Sequence, residues 1–352
     1  MDLTRPDCGC CTPRRLFLGG MAAMSANAAL GGVDALAQKP TAKRAFHRVD
    51  VHHHFGPPFW AAAARAAGHG GGAPWTVEGT LADMDKGGVA KAVLSLIQPG
   101  TWFKDDEQAR SLAREVNDYA ARLRADHPGR FGIFTTLPMP DVTGSLREIE
   151  YGMDVLKADG VGLFTSYGPK YLGDPSFTPV LEEINRRKLV VYVHPTNPLC
   201  CSNLQPGINP STIEYATDTT RTLASLLFSG AAERFPDIRW IWSHSGGTMP
   251  FLFERFLRQE DFMKGKAKEV LPRGSMYYFK RFYYETAQGN SPMQLAALLK
   301  MIPVSQVLFG SDYPYRPATE CVEGLARQRF RPGELRAIEH DNALRLMPAL
   351  AV

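Results

Sequence analysis

The chain contains 352 residues, of which 44% are hydrophobic and 22% are charged. This ordinary globular balance provides for one large domain with a substantial core. The net charge of +4 is spread along the sequence without a dense run of Lys or Arg, so nucleic acid is not an expected partner.

Residues 1–37 have the pattern of an export signal. Arg14 and Arg15 precede a short apolar stretch, a weakly apolar run follows, and Ala35-Leu36-Ala37 has the form of a signal-peptidase site. We therefore predict a twin-arginine signal peptide at residues 1–37 and a periplasmic or otherwise exported protein. The alternative is a cytosolic N-terminus that contains the two arginines by chance.

The remaining chain is expected to form a linker and one domain. Residues 38–45 are short and polar, and residues 46–352 carry an alternating pattern of apolar and amphipathic segments. A membrane-spanning helix needs about 20 apolar residues, and no run after the leader reaches that length. We therefore do not expect the mature protein to associate with a membrane.

Eight short runs have the composition of buried strands, because they are rich in β-branched or aromatic residues and are mostly bounded by Gly, Pro or a charge. The predicted strands are Phe46–His52, Lys91–Ile97, Phe131–Leu137, Gly160–Thr165, Leu189–His194, Ile238–His244, Phe282–Thr286 and Gln306–Ser311. The predicted helices between and after them are Thr76–Lys86, Asp105–Asp126, Ser145–Ala158, Phe177–Lys188, Ala216–Phe235, Met249–Gln259, Pro292–Met301 and Pro332–Leu346. This alternation predicts an α/β fold, a (β/α)8 TIM barrel in a single domain.

An open doubly wound sheet is the alternative architecture. It would need a glycine-rich nucleotide fingerprint after the first strand, but Gly70-Gly71-Gly72 neither follows a strand nor has that spacing. The long connections 56–75 and 195–215 follow strands that carry histidines, so we expect both over the active face. The aromatic residues that we expect to line a pocket are Phe59, Trp60, Trp102 and Tyr313.

Imidazole and carboxylate side chains fall at the carboxyl ends of three predicted strands. His52 and His54 are two residues apart on one strand, so they point to the same face while His53 points to the other. His194 ends another strand, and Asp312 follows the last. These strand ends meet at one mouth of a barrel. We therefore predict that one divalent ion, preferably zinc, is bound by His52, His54, His194 and Asp312.

His244 is the candidate for proton transfer. It ends the sixth predicted strand and precedes Gly246-Gly247, where the backbone can approach a ligand closely. An imidazole beside a metal site can take or give a proton near neutral pH. The alternatives are that His244 is a fifth metal ligand or that it supports the ligands from behind.

Four motifs together resemble the amidohydrolase superfamily, and more closely its amidohydrolase-2 branch, which contains α-amino-β-carboxymuconate-ε-semialdehyde decarboxylase and related aromatic acid decarboxylases. The motifs are Asp50-Val51-His52-His53-His54, Val193-His194-Pro195, His244-Ser245-Gly246-Gly247 and Gly310-Ser311-Asp312-Tyr313-Pro314. The resemblance implies one bound zinc or manganese ion, with His52, His54, His194 and Asp312 as its ligands. It further implies that His244 is the catalytic acid or base, and in a hydrolytic reaction Asp312 would have a catalytic role as proton acceptor.

The resemblance also concerns Arg255. This residue matches an arginine that reaches into the neighbouring subunit and holds a substrate carboxylate, which implies a homodimer or a higher homo-oligomer. A guanidinium group suits a carboxylate. The alternative is an ordinary arginine on a helix surface, since Arg258 lies one turn further on.

The expected function is metal-dependent decarboxylation of an aromatic or unsaturated carboxylic acid, which makes the protein a carbon–carbon lyase. The same residues suit a hydrolase that opens a lactone, ester or amide with an activated water. A third hypothesis is a periplasmic protein that binds a small carboxylate through a metal without catalysis. Fold and residue type do not separate these three functions.

Overall fold

The computed structural model describes residues 47–201 and 207–351. The predicted signal peptide (residues 1–37), the predicted linker (residues 38–45) and Phe46 lie outside the described residues. Export and the exact start of the domain therefore stay predictions.

Eight parallel strands form one sheet, in the order in which they follow one another along the chain. They are β1 (Arg48–Phe55), β2 (Val89–Leu96), β3 (Phe131–Thr136), β4 (Gly160–Phe164), β5 (Val190–His194), β6 (Arg239–Trp242), β7 (Tyr283–Glu285) and β8 (Val307–Leu308). Hydrogen bonds from Val51 N to Phe309 O (3.0 Å) and from Asp312 N to His52 O (2.8 Å) bring the first and last strands together. The predicted (β/α)8 barrel is confirmed.

Helices connect and cover the strands. They are α1 (Pro58–Ala66), α2 (Val77–Gly87), α3 (Asp106–Asp126), α4 (Val142–Glu150), α5 (Thr178–Arg186), α6 (Glu214–Phe228), α7 (Ala231–Arg234), α8 (Met249–Met263), α9 (Gly265–Val270), α10 (Ser275–Phe279), α11 (Pro292–Met301), α12 (Ala318–Ala326), α13 (Pro332–Arg336) and α14 (Asn342–Leu346). None of these helices within the described ranges is long and apolar enough to cross a membrane.

Local side-chain chemistry sets several of these boundaries. Thr76 and Asp105 each accept a hydrogen bond from the backbone N–H three residues later, at 3.0 Å, and so cap α2 and α3. The predicted helix Ala216–Phe235 is divided at Gly230, whose φ of 79° ends one helix and starts the next.

A register shift in β1 decides which of its side chains enter the mouth of the barrel. Asp50 pairs with Ala92 and His53 with Leu94, so three steps along β1 match two along β2. Such a bulge changes the face to which the following side chains point. Val51 consequently packs in an apolar cluster on the inner face of the sheet, while His52 and His54 point into the mouth.

Candidate metal centre and active site

The structure brings four predicted site residues together at the carboxyl ends of the strands. One ligand atom each of His52, His54, His194 and Asp312 lies within 4.8 Å of the other three. His52 Nε2 is 2.9 Å from His54 Nε2, and these nitrogens are 3.1 and 3.2 Å from Asp312 Oδ1. All four residues are buried.

The other ring nitrogen of each histidine is held by a protein oxygen. His52 Nδ1 is 2.8 Å from Glu285 Oε1, and His54 Nδ1 is 3.3 Å from the carbonyl oxygen of Ser95. His194 Nδ1 is 2.8 Å from the carbonyl oxygen of the following residue. Carboxylate and carbonyl oxygens only accept hydrogen bonds, so Nδ1 of His52 and Nδ1 of His194 each carry a proton. His54 Nδ1 also lies 3.1 Å from the Ser95 hydroxyl group, which can accept a hydrogen bond from it as well.

The lone pairs converge in a way that suits a cation. The Nε2 atoms of His52 and His54 and Oδ1 of Asp312 face one another at 2.9–3.2 Å, and each can offer a lone pair to an ion that replaces any proton held between them. Donor atoms that share one ion at about 2.0–2.2 Å have separations of this size. The residues therefore fit one divalent ion with nitrogen and oxygen ligands, such as zinc or manganese.

The surrounding charges also favour a cation at His52. Burial lowers the pKa of His52, but the carboxylates of Glu285 and Asp312 outweigh burial and raise this pKa to about 10. Burial and the neighbouring imidazoles hold the pKa of His194 well below its ordinary value, so this ring keeps its lone pair. The cluster thus accommodates positive charge close to His52, as a proton or as a metal ion.

His244 lies beside the cluster on a strained turn. The φ angles of His244 and Ser245 are 52° and 56°, in the left-handed region that is costly for residues with a side chain. Gly247 follows with φ 66° and ψ −132°, and a Cβ there would overlap the carbonyl oxygen of Ala216. The turn leaves His244 Nε2 3.5 Å from Asp312 Oδ2.

Two residues that sequence reasoning missed also contact the site. Glu285 is fully buried, and its Oε1 accepts from His244 N at 2.6 Å as well as from His52. Gln288 donates a hydrogen bond to Asp312 Oδ2. The available signal for Glu285 was an ionisable residue inside an apolar strand, whereas Gln288 carried no distinguishing signal in the sequence.

A cavity of about 260 Å³ borders the cluster at His194 and Asp312. Tyr215 and Tyr315 contribute aromatic surface to its wall, and Arg316 contributes a positive charge. The other polar side chains of the wall include Gln98, Asn209 and Ser211. The cavity therefore combines ring surfaces with groups that can bind oxygen atoms.

Several residues singled out from the sequence lie elsewhere. Trp60 is buried in the core, and its Nε1 donates to Gly100 O. Trp102 Nε1 donates to Asp106. The aromatic wall of the cavity thus comes from the first turn of α6 and from the loop after β8, not from these tryptophans.

His53 and Arg255 also lie apart from the cavity wall. His53 points away from the cluster, where its Nδ1 is 3.0 Å from Asp50 Oδ2 and its ring stacks on Tyr313. Arg255 is exposed on α8 and is not among the described residues that line the cavity. The orientation predicted for His53 agrees with the structure, while the role predicted for Arg255 requires a second subunit.

A family model described as amidohydrolase matches residues 49–348. A decarboxylase of Aspergillus niger is 36% identical over 327 residues, which cover 86% of this chain and 87% of the relative. A 6-methylsalicylic acid decarboxylase of Penicillium expansum is 36% identical over 281 residues, which cover 77% and 86%. The predicted amidohydrolase resemblance is confirmed, and these relatives belong to the predicted class of decarboxylases.

The fold is also that of a solved decarboxylase. The crystal structure of a dihydroxybenzoic acid decarboxylase from Polaromonas, with bound manganese and the inhibitor 2-nitroresorcinol, superposes with a TM-score of 0.77 at 22% identity. The superposition covers 86% of this chain and 97% of the other. At this identity, the likeness concerns the barrel architecture.

Proposed function

Because the chain belongs to the amidohydrolase family, we propose that it is a metal-dependent decarboxylase of a small hydroxylated aromatic acid. The observation that carries the proposal is the convergence of three histidines and Asp312 beside His244 and a cavity with aromatic walls. Two relatives at 36% identity, both named decarboxylases, support the choice of decarboxylation over hydrolysis.

His52, His54, His194 and Asp312 would hold the ion. When bound, a divalent ion supplies positive charge that holds substrate oxygens and stabilises negative charge in the transition state. Zinc fits the nitrogen-rich ligand set, and manganese is the ion bound in the Polaromonas structure. The hydrogen bonds at each Nδ1 keep the rings in the orientation and tautomer that binding requires.

His244 would supply the proton. A hydroxyl group next to the carboxylate-bearing carbon makes this ring carbon electron-rich, so it can accept a proton from His244 Nε2. The bond from this carbon to the carboxylate then breaks, its electron pair restores the aromatic ring, and CO2 leaves. Asp312 Oδ2, 3.5 Å from His244 Nε2, stabilises the protonated imidazole before the transfer.

The cavity supports a substrate with one ring. Its volume of about 260 Å³ is smaller than the roughly 300–1,000 Å³ of pockets for drug-sized ligands. Tyr215 and Tyr315 offer faces against which a ring can pack, and Arg316 and Gln98 offer donors for its oxygens. 6-Methylsalicylic acid, the substrate named for the Penicillium expansum relative, is the first compound to test.

A direct assay tests the proposal. The protein is stripped with a chelator, reloaded with Zn²⁺ or Mn²⁺, and offered 6-methylsalicylic acid, dihydroxybenzoic acids and a set of aryl esters and lactones. We expect metal-dependent CO2 release from at least one hydroxylated acid. Ester or lactone cleavage without CO2 release would establish the hydrolase instead, and tight binding without turnover would establish the binding protein.

A homo-oligomer with Arg255 at a neighbouring cavity is a further part of the proposal. Arg255 shares the exposed side of α8 with Phe251, which is 63% exposed, and Leu252. Apolar surface of this kind is common where subunits meet. Light scattering should give a dimer or larger, and R255A should raise KM more than R258A does. A monomer with full activity would contradict this part.

Export by the twin-arginine route is proposed from Arg14, Arg15 and the Ala35-Leu36-Ala37 site. In a bacterial host, the wild type should reach the periplasm with a new N-terminus after Ala37. A variant with both arginines changed to lysine should stay in the cytoplasm at full length. Equal periplasmic amounts of the two proteins would contradict export by this route.

A further inference from the structure

We infer that Glu285 is a positioning residue that sets the metal ligand His52 and the proton-transferring His244 through one carboxylate oxygen. The inference rests on the proposed function, because it concerns the ion and the proton donor that this function requires. Beyond that function, the Glu285 side chain controls both the affinity for the ion and the position of the proton donor His244.

The contacts of Glu285 are few, short and entirely buried. Its side chain has no exposed surface, Oε1 is 2.8 Å from His52 Nδ1, and the same Oε1 accepts from His244 N at 2.6 Å. Oε2 accepts from Ala287 N at 2.6 Å. Three donors therefore satisfy a carboxylate that would be costly to bury alone.

The first role of Glu285 is to accept a hydrogen bond from His52 Nδ1. Because a carboxylate accepts from Nδ1, the lone pair of His52 stays on Nε2, where the other ligand atoms converge. A carboxylate behind a ligating histidine also makes that histidine a better electron donor. A glutamine amide at the same place would have to direct its NH2 group toward either Ala287 N–H or His52 Nδ1–H, so two hydrogen-bond donors would face each other. The amide would also lack the negative charge.

The second role of Glu285 is to fix the backbone of His244 by accepting a hydrogen bond from its N–H. The backbone of His244 has a φ of 52°, an angle that persists only where the surroundings fix it. Glu285 binds the N–H of this residue and so holds the turn from which the imidazole reaches Asp312. Moving the carboxylate would displace the turn and the ring together.

The backbone just after β8 leaves space for this arrangement. Gly310 faces Glu285 and His52, and a Cβ there would overlap Glu285 Oε2 and lie 2.8 Å from His52 Cβ. The glycine therefore allows the carboxylate to lie directly behind the ring of His52. This packing explains why the buried glutamate and the ligand can share one small space.

The test compares E285Q and E285D with E339Q. Glu339 is also buried and also bound to basic groups, Arg48 and His47 at 2.8 Å, but it lies near the start of β1, at the opposite end of the barrel. Competition with a coloured chelator measures Zn²⁺ affinity. We expect a loss of about 10–100-fold in E285Q and E285D, and less than threefold in E339Q. A twofold or smaller loss in E285Q would overturn the inference.

Two further measurements keep the outcomes distinct. With saturating Zn²⁺, E285Q should still have a lower kcat for CO2 release, because His244 is displaced as well. In the wild type, nitrogen-15 NMR should show a proton on His52 Nδ1 with Zn²⁺ bound, and an unprotonated Nδ1 would overturn the inference even if no variant folds. A wild type that binds Zn²⁺ without releasing CO2 would refute the decarboxylase alone; one that binds no Zn²⁺ would refute both.

Discussion

At the scale of single residues, His244 and the cluster beside it have separable tasks. His244→Ala should lower kcat by at least about 100-fold, because a positioned acid or base contributes about 10²–10⁴. The Zn²⁺ content should stay at the wild-type level, since the proposed ligands are untouched. His127→Ala, at a partly buried histidine that follows α3, is the control. Near-normal turnover of His244→Ala would refute the assigned role.

Asp312 is expected to behave in the opposite way. Asp312→Ala removes the carboxylate whose Oδ1 lies 3.1 and 3.2 Å from Nε2 of His52 and of His54 and is proposed to bind the ion. The affinity for Zn²⁺, measured by chelator competition, should therefore fall. Any loss of turnover in this variant would then follow first from the loss of the ion. Asp85→Ala removes a carboxylate that pairs with Arg130 instead, and should leave the affinity unchanged. Unaltered affinity in Asp312→Ala would exclude Asp312 as a ligand.

The sequence predicted the converging residues better than it predicted what supports them. His52, His54, His194 and Asp312 stand at or near the ends of predicted strands, so barrel geometry brings them together. Glu285 is 233 residues away from His52 in the sequence, and no local sequence pattern predicts a contact at this separation. The same limitation applies to the cavity wall, since tertiary packing decides where Tyr215 at the start of α6 and Arg316 on the loop after β8 are placed.

At the scale of elements, the turn after β6 is the most constrained connection to the site. Gly247→Ala should destabilise the protein by about 2 kcal/mol or more, because φ 66° with ψ −132° is costly for alanine and its Cβ would overlap Ala216 O. Activity should also fall, since His244 lies on this turn. Thermal unfolding and CO2 release measure the two effects.

Gly333→Ala provides the control for that substitution. Gly333 lies within α13, and nothing lies within 4 Å of where its Cβ would be. Alanine there should be neutral or stabilising by up to about 1 kcal/mol, because alanine favours a helix. Equal melting temperatures of the two variants would show that the turn is not constrained as described.

Regular elements were predictable where their signals are local. The Thr76 cap places the start of α2, and Pro292–Met301 was predicted at its observed bounds. The end of β1 was predicted at His52 but lies at Phe55, because pairing with β2 continues beyond the register shift between Asp50 and His53. Prediction from one sequence therefore finds the element but misses features that the neighbouring strand imposes.

At the scale of the whole molecule, the ion should stabilise the fold as well as the reaction. A ligand present at 100 times its Kd stabilises the native state by about 2.7 kcal/mol, which corresponds to a shift on the order of 5 °C for a large domain. Removal of Zn²⁺ with a chelator should lower Tm accordingly. Asp312→Ala should show a much smaller shift, and an equal shift in both proteins would contradict the proposed site.

The barrel should decarboxylate a hydroxylated aromatic acid at the cluster of His52, His54, His194 and Asp312. The most direct measurement is CO2 released from 6-methylsalicylic acid and dihydroxybenzoic acids by the wild type, in the stripped state and after reloading with Zn²⁺ or Mn²⁺. We predict no release from the stripped protein, release after reloading, and an equimolar phenolic product. Full metal loading with no CO2 from any of these acids would contradict the claim.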